Sequence, residues 1–224
     1  MALGPKTDVA VGDEVVLIGA QGAERVTSEE LARSLGMLFA STPFDLESAA
    51  GLSPFVDAFK IASGDVDFYP LIEKVLSYGK PVIISTGASS MDKVAATVDF
   101  VRARAGGEIR ERIALLHCVS SYPAPAEEAN LLSIPCMAER FGLSVGFSDH
   151  TAGTEAALLA LAAGAEIIEK HFTLDKNYSS FRDHQLSADP AEFRQLVAQA
   201  IRVRSILGIR DTRVQPSEAA ADAS

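Results

Sequence analysis

Four histidines carry the strongest chemical signal in this sequence of 224 residues, and all four lie in its C-terminal half: His117, His150, His171 and His184. A single histidine at a strand end is more often a structural hydrogen-bonding residue than a ligand. However, His150 and His171 follow two successive apolar segments, and the ends of neighbouring strands lie roughly 5 Å apart. Two imidazoles at that spacing can share a divalent ion that keeps open positions for a substrate. We therefore predict that His150 and His171 are metal ligands. A closed structural zinc site would need two more ligands, and Cys118 is the only plausible extra one.

A second set of residues could bind an anion. Lys60 lies inside the apolar stretch "FKIAS", where burial without a partner would be costly, so we expect its ammonium group to point into a polar mouth. Hydroxyl groups at neighbouring strand ends would complete a phosphate cradle; they belong to Thr42, Ser63 and Ser85. The stretch "STGASS" adds backbone N–H groups at Gly87 before a helix. Helix capping is the competing interpretation for these serines and threonines.

Two further stretches have both a structural and a functional interpretation. The stretch "FRDHQLS" (181–187) carries Asp183 and His184 and is either a solvated loop or the source of a carboxylate above the mouth. In "GFSDHT", Ser148 lies on the same side of the strand as His150. Asp149 points to the other side, so we expect it to have a structural role, such as capping the following helix.

These residues must be positioned by alternating strands and helices. Apolar runs predict six strands, at 37–42, 58–63, 81–86, 113–118, 143–148 and 166–172. Between or after them, helices are predicted near 68–78, 90–104, 127–141, 153–163 and 190–207. This alternation indicates right-handed βαβ units and a parallel sheet, in either an open doubly wound fold or a barrel.

The polar residues favour the barrel. Almost every predicted strand ends in one, namely Thr42, Lys60, Ser63, Ser85, His117, Ser148, His150, Lys170 or His171. All strand ends converge on the mouth of a barrel, whereas an open sheet uses mainly its switch point. The predicted fold class is α/β, a TIM-type (β/α)8 barrel that is incomplete, because only six β/α units are recognisable.

The remaining segments and the composition set limits on function. Residues 1–36 form an atypical segment with one β stretch at 11–22 and a helix at 27–36 capped by Thr27 or Ser28, and 211–224 is predicted as a disordered tail or linker. The net charge of −10 without a basic block argues against nucleic-acid binding. No signal peptide or membrane-span pattern is present. Cys118 and Cys136 form no CxxC motif, so we expect reduced thiols in a cytoplasmic protein.

Seven ordered stretches resemble the sialic acid synthase family, the phosphoenolpyruvate-dependent nonulosonic acid synthases. They are "STPFD", "FKIASGD", "YPLI", "GKPVIISTG", "LLHCVSSYPAP", "VGFSDHT" and "IIEKHFTLDK", within about residues 37–210. The resemblance implies condensation of phosphoenolpyruvate with the open-chain aldehyde of an N-acylated hexosamine, of the N-acetylmannosamine type. Carbon 3 of phosphoenolpyruvate attacks the aldehyde, water adds at carbon 2, and phosphate leaves with C–O cleavage.

The same resemblance implies roles for individual residues. Manganese or magnesium would be held by His150 and His171 and would polarise the aldehyde. Asp183, Asp65 and Tyr122 would have catalytic or sugar-binding roles. The phosphoenolpyruvate ligands would be Thr42, Lys60, Ser63, Ser85, Ser120 and Ser148. The expected partners are the two substrates and further copies of the chain in a homo-oligomer, without nucleic acid or a membrane.

The sequence also departs from the family pattern. Asp65 replaces the usual glutamate, and the sugar-binding aspartate is displaced by one residue, with Asp183 as the best match. The family's first two strands and its C-terminal antifreeze-like domain, which lends an arginine to a neighbouring subunit, have no counterpart. Residues 11–36 resemble instead the C-terminal domain of alanine racemases, which predicts a join near Gly36 and Met37.

Two other functions remain open on the sequence. An incomplete barrel exposes two strand edges, so a catalytically impaired fragment could act as a binding or oligomerisation module. A Schiff-base aldolase could use Lys60 or Lys170, since both are predicted on strands that form the mouth.

Overall fold

A six-stranded parallel sheet organises the chain. The structure is a computed structural model that describes residues 28–105, 109–179 and 182–221. The strands are β1 (Ala40–Ser41), β2 (Ala58–Ile61), β3 (Val82–Ser85), β4 (Ile113–Cys118), β5 (Ser144–Asp149) and β6 (Ile168–Lys170). They lie in sequence order, each parallel to the next. All six predicted strands are confirmed.

Ten helices accompany these strands in the described residues. They are α1 (Ser28–Ser34), α2 (Leu46–Leu52), α3 (Tyr69–Leu76), α4 (Met91–Ala105), α5 (Ile109–Arg112), α6 (Ser133–Phe141), α7 (Glu155–Ala162), α8 (Arg182–Leu186), α9 (Pro190–Leu207) and α10 (Pro216–Ala221). The five predicted helices correspond to α3, α4, α6, α7 and α9. None of the helices in the described ranges is long and apolar enough to cross a membrane.

Local sequence explains where several helices begin and end. The carboxylates of Asp45 and Asp189 accept hydrogen bonds from the first turns of α2 and α9, and each forms a capping box with the residue three positions on. Helix α6 ends at Gly142, whose φ of 63° is the left-handed conformation that favours glycine. This helix starts later than predicted, because a 3-10 turn at Ala126–Glu128 precedes it.

The main core lies between the sheet and the helices. Alternate strand residues enter it, including Phe59, Ile61, Val82, Ile84, Ile113, Leu115, Val145 and Phe147. The residues between them point to the opposite face, which is the inner face of the partial barrel. The strand order and this two-sided alternation confirm the expected α/β barrel architecture with six β/α units.

Three elements differ from expectation. Helix α2 was not predicted, although Asp45 and Ser48 at capping-box spacing would have indicated its start. The stretch 181–187, for which a solvated loop was one of two interpretations, contains α8, and the tail contains the short helix α10. The predicted β segment at 11–22 and the candidate cap Thr27 lie outside the described residues, while α1 confirms a helix within 27–36.

Candidate active site

The two predicted metal ligands lie side by side at the C-terminal ends of β5 and β6. The ring centroids of His150 and His171 are 5.4 Å apart and the rings are steeply inclined, at 70°. Register explains the proximity, because Ser148 pairs with Glu169 and each histidine follows two residues later on its strand. Both imidazoles therefore lie on the inner face of the partial barrel.

The hydrogen bonding of His150 fixes which of its nitrogens can bind a cation. Its Nδ1 lies 2.8 Å from the carbonyl oxygen of Val119, which can only accept, so Nδ1 carries the proton. The lone pair of the neutral ring is therefore on Nε2, which lies 3.4 Å from the hydroxyl of Ser148. A backbone carbonyl that holds one nitrogen and so directs the other into the site is the usual support of a metal-binding histidine.

The electrostatic surroundings of His171 favour a neutral ring. Its pKa is lowered from the ordinary value of 6.5, mainly because burial disfavours the charged form and also because His150 is close. The carboxylates of Asp183 and Glu169 oppose this shift. A neutral imidazole is the form that binds a metal, so these surroundings favour a divalent ion at His171.

A metal at this place would have few protein ligands. Within the described ranges, no group of three or more histidine, cysteine, aspartate or glutamate side chains is arranged to hold a metal ion. Two imidazoles therefore form the whole donor set that the geometry supports there. Such a site differs from a closed structural zinc site and leaves positions for substrate oxygen atoms.

The ring of Tyr122 covers the histidine pair. Its centroid is 4.1 Å from that of His150 and 5.6 Å from that of His171. Tyr122 precedes Pro123 through a cis peptide bond, in the loop that follows β4. This loop also supplies Val119, so a single segment contacts His150 from two directions.

Lys60 lies on the same inner face and has a partner that the sequence analysis missed. Its Nζ is 3.2 Å from one carboxylate oxygen of Glu169, whose other oxygen accepts a 2.6 Å hydrogen bond from Ser148. The Lys60 side chain is only 14% exposed, against 42% for Glu169. The expected polar surroundings of Lys60 are present, and Glu169 links it to the strand that carries the histidines.

A cluster of small residues lies around Gly87. The Gly87 N–H donates a 3.0 Å hydrogen bond to the Ser63 hydroxyl, which lies 3.1 Å from the sulfur of Cys118. A Cβ atom at Gly87 would lie 2.3 Å from the Ser120 hydroxyl and 2.5 Å from the Cys118 sulfur. Ser63 and Ser120 thus come together only because residue 87 has no side chain. Cys118 and Ser120 also line a cavity of about 660 Å³ between the N-termini of α4 and α6.

Ser85 has an unsatisfied hydroxyl on the inner face. The residue is 2% exposed, and its Oγ has no hydrogen-bond partner among the described residues. Buried hydroxyl groups normally have partners, so an orphaned one is often explained by an absent ligand. This agrees with the predicted anion site, to which Ser85 was assigned.

Comparison with known proteins identifies the family. The profile of the NeuB family matches residues 21–212, which is most of the chain. The chain belongs to the NeuB family. The match begins 16 residues before Met37, so it includes part of the segment 11–36 that we expected to come from another family. The resemblance of that segment to alanine racemases stays a prediction.

Individual relatives agree with this assignment. An uncharacterized protein of Methanocaldococcus jannaschii is 46% identical over 191 residues, covering 85% of this chain and 55% of the relative. The N,N'-diacetyllegionaminic acid synthase of Campylobacter jejuni is 39% identical, with 84% and 55% covered. The N-acetylneuraminic acid synthetase of Leptospira borgpetersenii, solved with citrate, is 36% identical with a TM-score of 0.81, covering 88% of this chain and 67% of that one. The chain therefore spans about half the length of the curated relatives it matches.

Three other residues predicted for the site lie after β1, after β2 and on α8. Thr42 directly follows β1 and lies level with Lys60, because Ser41 pairs with Phe59. Asp65 ends a 3-10 turn that starts at Ser63. Asp183 lies on α8, close enough for its charge to act on His171.

Two residues predicted at the mouth face the helices instead. His117 bonds through Nε2 to the carbonyl of Ala129 at 2.8 Å and stacks on Phe147, and burial lowers its pKa. Lys170 forms a 3.0 Å ion pair with Asp149, and the two side chains are 1% and 0% exposed. Both corrections follow from the alternation of strand residues: each is adjacent to an inner-facing residue and so points outward. A buried, ion-paired Lys170 is not available as a Schiff-base nucleophile.

Asp149 has the structural role expected of it, but it is not a helix cap. The N-cap of α7 is Thr154. Asp149 instead bonds to Thr151 and Lys170. His184 bonds through Nδ1 to the Thr173 hydroxyl at 2.9 Å, which is a local structural contact.

Proposed function

We propose that this chain provides the metal-binding and phosphoenolpyruvate-binding part of a nonulosonic acid synthase. The observation that carries the proposal is the position of the His150–His171 pair beside Lys60, Ser148 and Glu169 on one inner face. Membership of the NeuB family supports it. The reaction joins carbon 3 of phosphoenolpyruvate to the aldehyde carbon of an N-acylated hexosamine, adds water at carbon 2 and releases phosphate by C–O cleavage.

The anionic substrate would be held by the lysine and hydroxyl side of the site. Lys60 supplies the cationic charge, and Ser63, Ser85 and Ser120 supply hydroxyl donors within the same mouth. The unsatisfied Ser85 hydroxyl would gain a partner when a phosphate or carboxylate oxygen binds. Glu169 holds the Lys60 ammonium in place, so it orients the cation before substrate arrives.

The aldehyde would lie on the histidine side. His150 and His171 would hold Mn²⁺ or Mg²⁺, which polarises the aldehyde oxygen when bound. Tyr122 packs against both rings and limits access of water from that side. Asp183, and Asp65 at the start of the second β/α connection, are the carboxylates that would contact the sugar or accept a proton.

The sugar is proposed only as a class. The relatives include a synthase named for a di-N-acetylated product and a synthetase named for N-acetylneuraminic acid. Both names imply N-acylated amino sugars. We also propose that the chain works as a homo-oligomer, since β1 and β6 each pair with a single neighbour in the described sheet and leave edges that invite association.

Phosphate release tests this function directly. The purified 224-residue chain is incubated with phosphoenolpyruvate, Mn²⁺ and either N-acetylmannosamine or a di-N-acetylated hexosamine. Phosphate release that depends on the sugar and stops on chelation with EDTA supports the proposal. Ser120→Ala tests the hydroxyl side of the site. Ser121→Ala, in the same loop but outside the proposed ligand set, is its matched control.

The result also separates the enzyme from a binding module. Sugar-dependent release that disappears in His171→Ala supports the synthase. Binding of phosphoenolpyruvate without any release would support the impaired binding or oligomerisation module instead, whereas self-association in sedimentation is expected of both.

A further inference from the structure

A buried ion pair lies on the helix-facing side of β5 and β6, the two strands that lead to His150 and His171. Asp149 and Lys170 are paired in the β5–β6 register, one position beyond Ser148 and Glu169. Their charged atoms are 3.0 Å apart, and the side chains are 0% and 1% exposed. The pair therefore joins the two strands on the helix-facing side at the level of the site.

The pair also fixes the backbone on either side of His150. One oxygen of Asp149 accepts hydrogen bonds from the N–H and the hydroxyl of Thr151, at 2.8 and 2.7 Å. The Lys170 ammonium donates to the Thr151 carbonyl at 2.5 Å. His150 itself lies between these two anchored residues, and its carbonyl accepts a 2.9 Å bond from the N–H of Ala124.

The inner-facing site depends on the same two strands. Glu169, Lys170 and His171 are consecutive, as are Ser148, Asp149 and His150. A shift of β6 relative to β5 would therefore change the 5.4 Å spacing of the imidazoles and the 2.6 Å bond from Ser148 to Glu169. The outer pair opposes such a shift, because its two charges and the Thr151 contacts fit a single register.

Stability alone does not explain a pair of this kind. Removing two charges from water is costly, and replacing a buried pair by apolar residues of similar size is often neutral or stabilising. We propose that Asp149 and Lys170 are positioning residues that hold His150 and His171 at the separation and ring orientation needed to share a divalent cation. This inference rests on the proposed function only in taking the histidine pair as the metal site.

The double variant Asp149→Leu/Lys170→Met tests positioning separately from folding. It removes both charges together and leaves no unpaired buried ion. Removing the ion pair should cost little by itself, but the N–H, hydroxyl and carbonyl of Thr151 lose their partners, so we expect the urea midpoint of unfolding to fall while the chain stays folded. We expect the dissociation constant for Mn²⁺, measured by calorimetry, to rise by about 10- to 100-fold, as for other residues that orient metal ligands. The control is Asp67→Leu/Lys93→Met, which removes an exposed ion pair between other elements.

A second measurement does not need the metal. In the metal-free protein, side-chain ¹⁵N NMR reports which nitrogen of His150 carries the proton. The wild type and the control should show the single Nδ1–H form that the Val119 contact imposes. The double variant should show a mixture of the two forms. If it fails to fold, Asp149→Asn/Lys170→Gln replaces it, with a smaller change expected in the same direction.

The outcomes are distinguishable. A folded double variant with an unchanged His150 spectrum and a Mn²⁺ dissociation constant within twofold of the control overturns the positioning inference. Wild-type protein that binds no Mn²⁺ rejects the metal part of the proposed function, and the metal-free NMR comparison then decides the positioning inference by itself.

Discussion

Gly87→Ala should destabilise the fold and weaken anion binding together. The new Cβ would lie 2.3, 2.5 and 2.9 Å from atoms of Ser120, Cys118 and Ser63, all closer than Cβ atoms normally approach other atoms. Ser120 is exposed and can rotate away, but Cys118 is only 5% exposed and is the last residue of β4. The strain therefore has to move the Cys118 side chain or the residue 87 backbone.

The size of the effect follows from these contacts. Overpacking of a filled site by one methyl group typically costs about 1–3 kcal/mol in the free energy of unfolding. A backbone shift would also lengthen the bond from the Gly87 N–H to Ser63, which is worth about 1 kcal/mol. We expect a total loss of about 2–4 kcal/mol. The affinity for phosphoenolpyruvate should fall as well, because Ser63 and Ser120 are displaced.

Urea unfolding of the full chain measures the first effect, and calorimetric titration with phosphoenolpyruvate measures the second. Gly51→Ala is the matched control, since Gly51 lies in α2 with open space where its Cβ would be. That change should stabilise the helix by about 0.5–1 kcal/mol. If Gly87→Ala is as stable as the wild type within about 0.5 kcal/mol, the close packing derived for this cluster is wrong.

Two further predictions concern the inner face and pH. Ser85→Ala should leave the free energy of unfolding unchanged or raise it, because the buried hydroxyl has no hydrogen-bond partner among the described residues. The same change should weaken the binding of phosphoenolpyruvate. A clear loss of stability in urea would show that this hydroxyl is satisfied by the fold. Burial holds the pKa of both His117 and His171 below the ordinary value of 6.5. As the pH falls, these histidines therefore bind protons in the unfolded chain at a higher pH than in the folded chain. The free energy of unfolding should decrease as the pH drops below about 6.5. Urea midpoints between pH 7.5 and 5 measure this, and a His117→Gln variant with an unchanged pH profile would refute the contribution of His117.

Local pattern was sufficient to predict most of the scaffold. Continuous apolar runs such as "PVIIST" and "IALLHC" gave the strands, because parallel strands buried on both faces carry few polar residues. Helices such as α4 were predicted because their apolar residues recur at helical spacing. Helix α2 was missed because its seven residues, "LESAAGL", are too few to show a period, so that only its cap at Asp45 marks it.

The site was predicted less completely, and the reason is the two-residue period of a strand. Treating every polar residue near a strand end as part of the mouth included His117 and Lys170, which face the helices. It also passed over Glu169, the residue before Lys170 on β6. Counting alternate positions back from His171 would have placed Glu169 inside and Lys170 outside.

The contact between Lys60 and Glu169 could not be read from the sequence, because it joins strands that are not neighbours. Lys60 is on β2 and Glu169 is on β6, with three strands between them in the sheet. A flat sheet would keep them more than 15 Å apart at about 4.8 Å per strand, yet their charged atoms are 3.2 Å apart. Long side chains alone do not span that gap, so the sheet must curl toward its inner face. This ion pair is therefore the contact that demonstrates barrel curvature, and it brings the cationic side of the site within reach of the histidine pair.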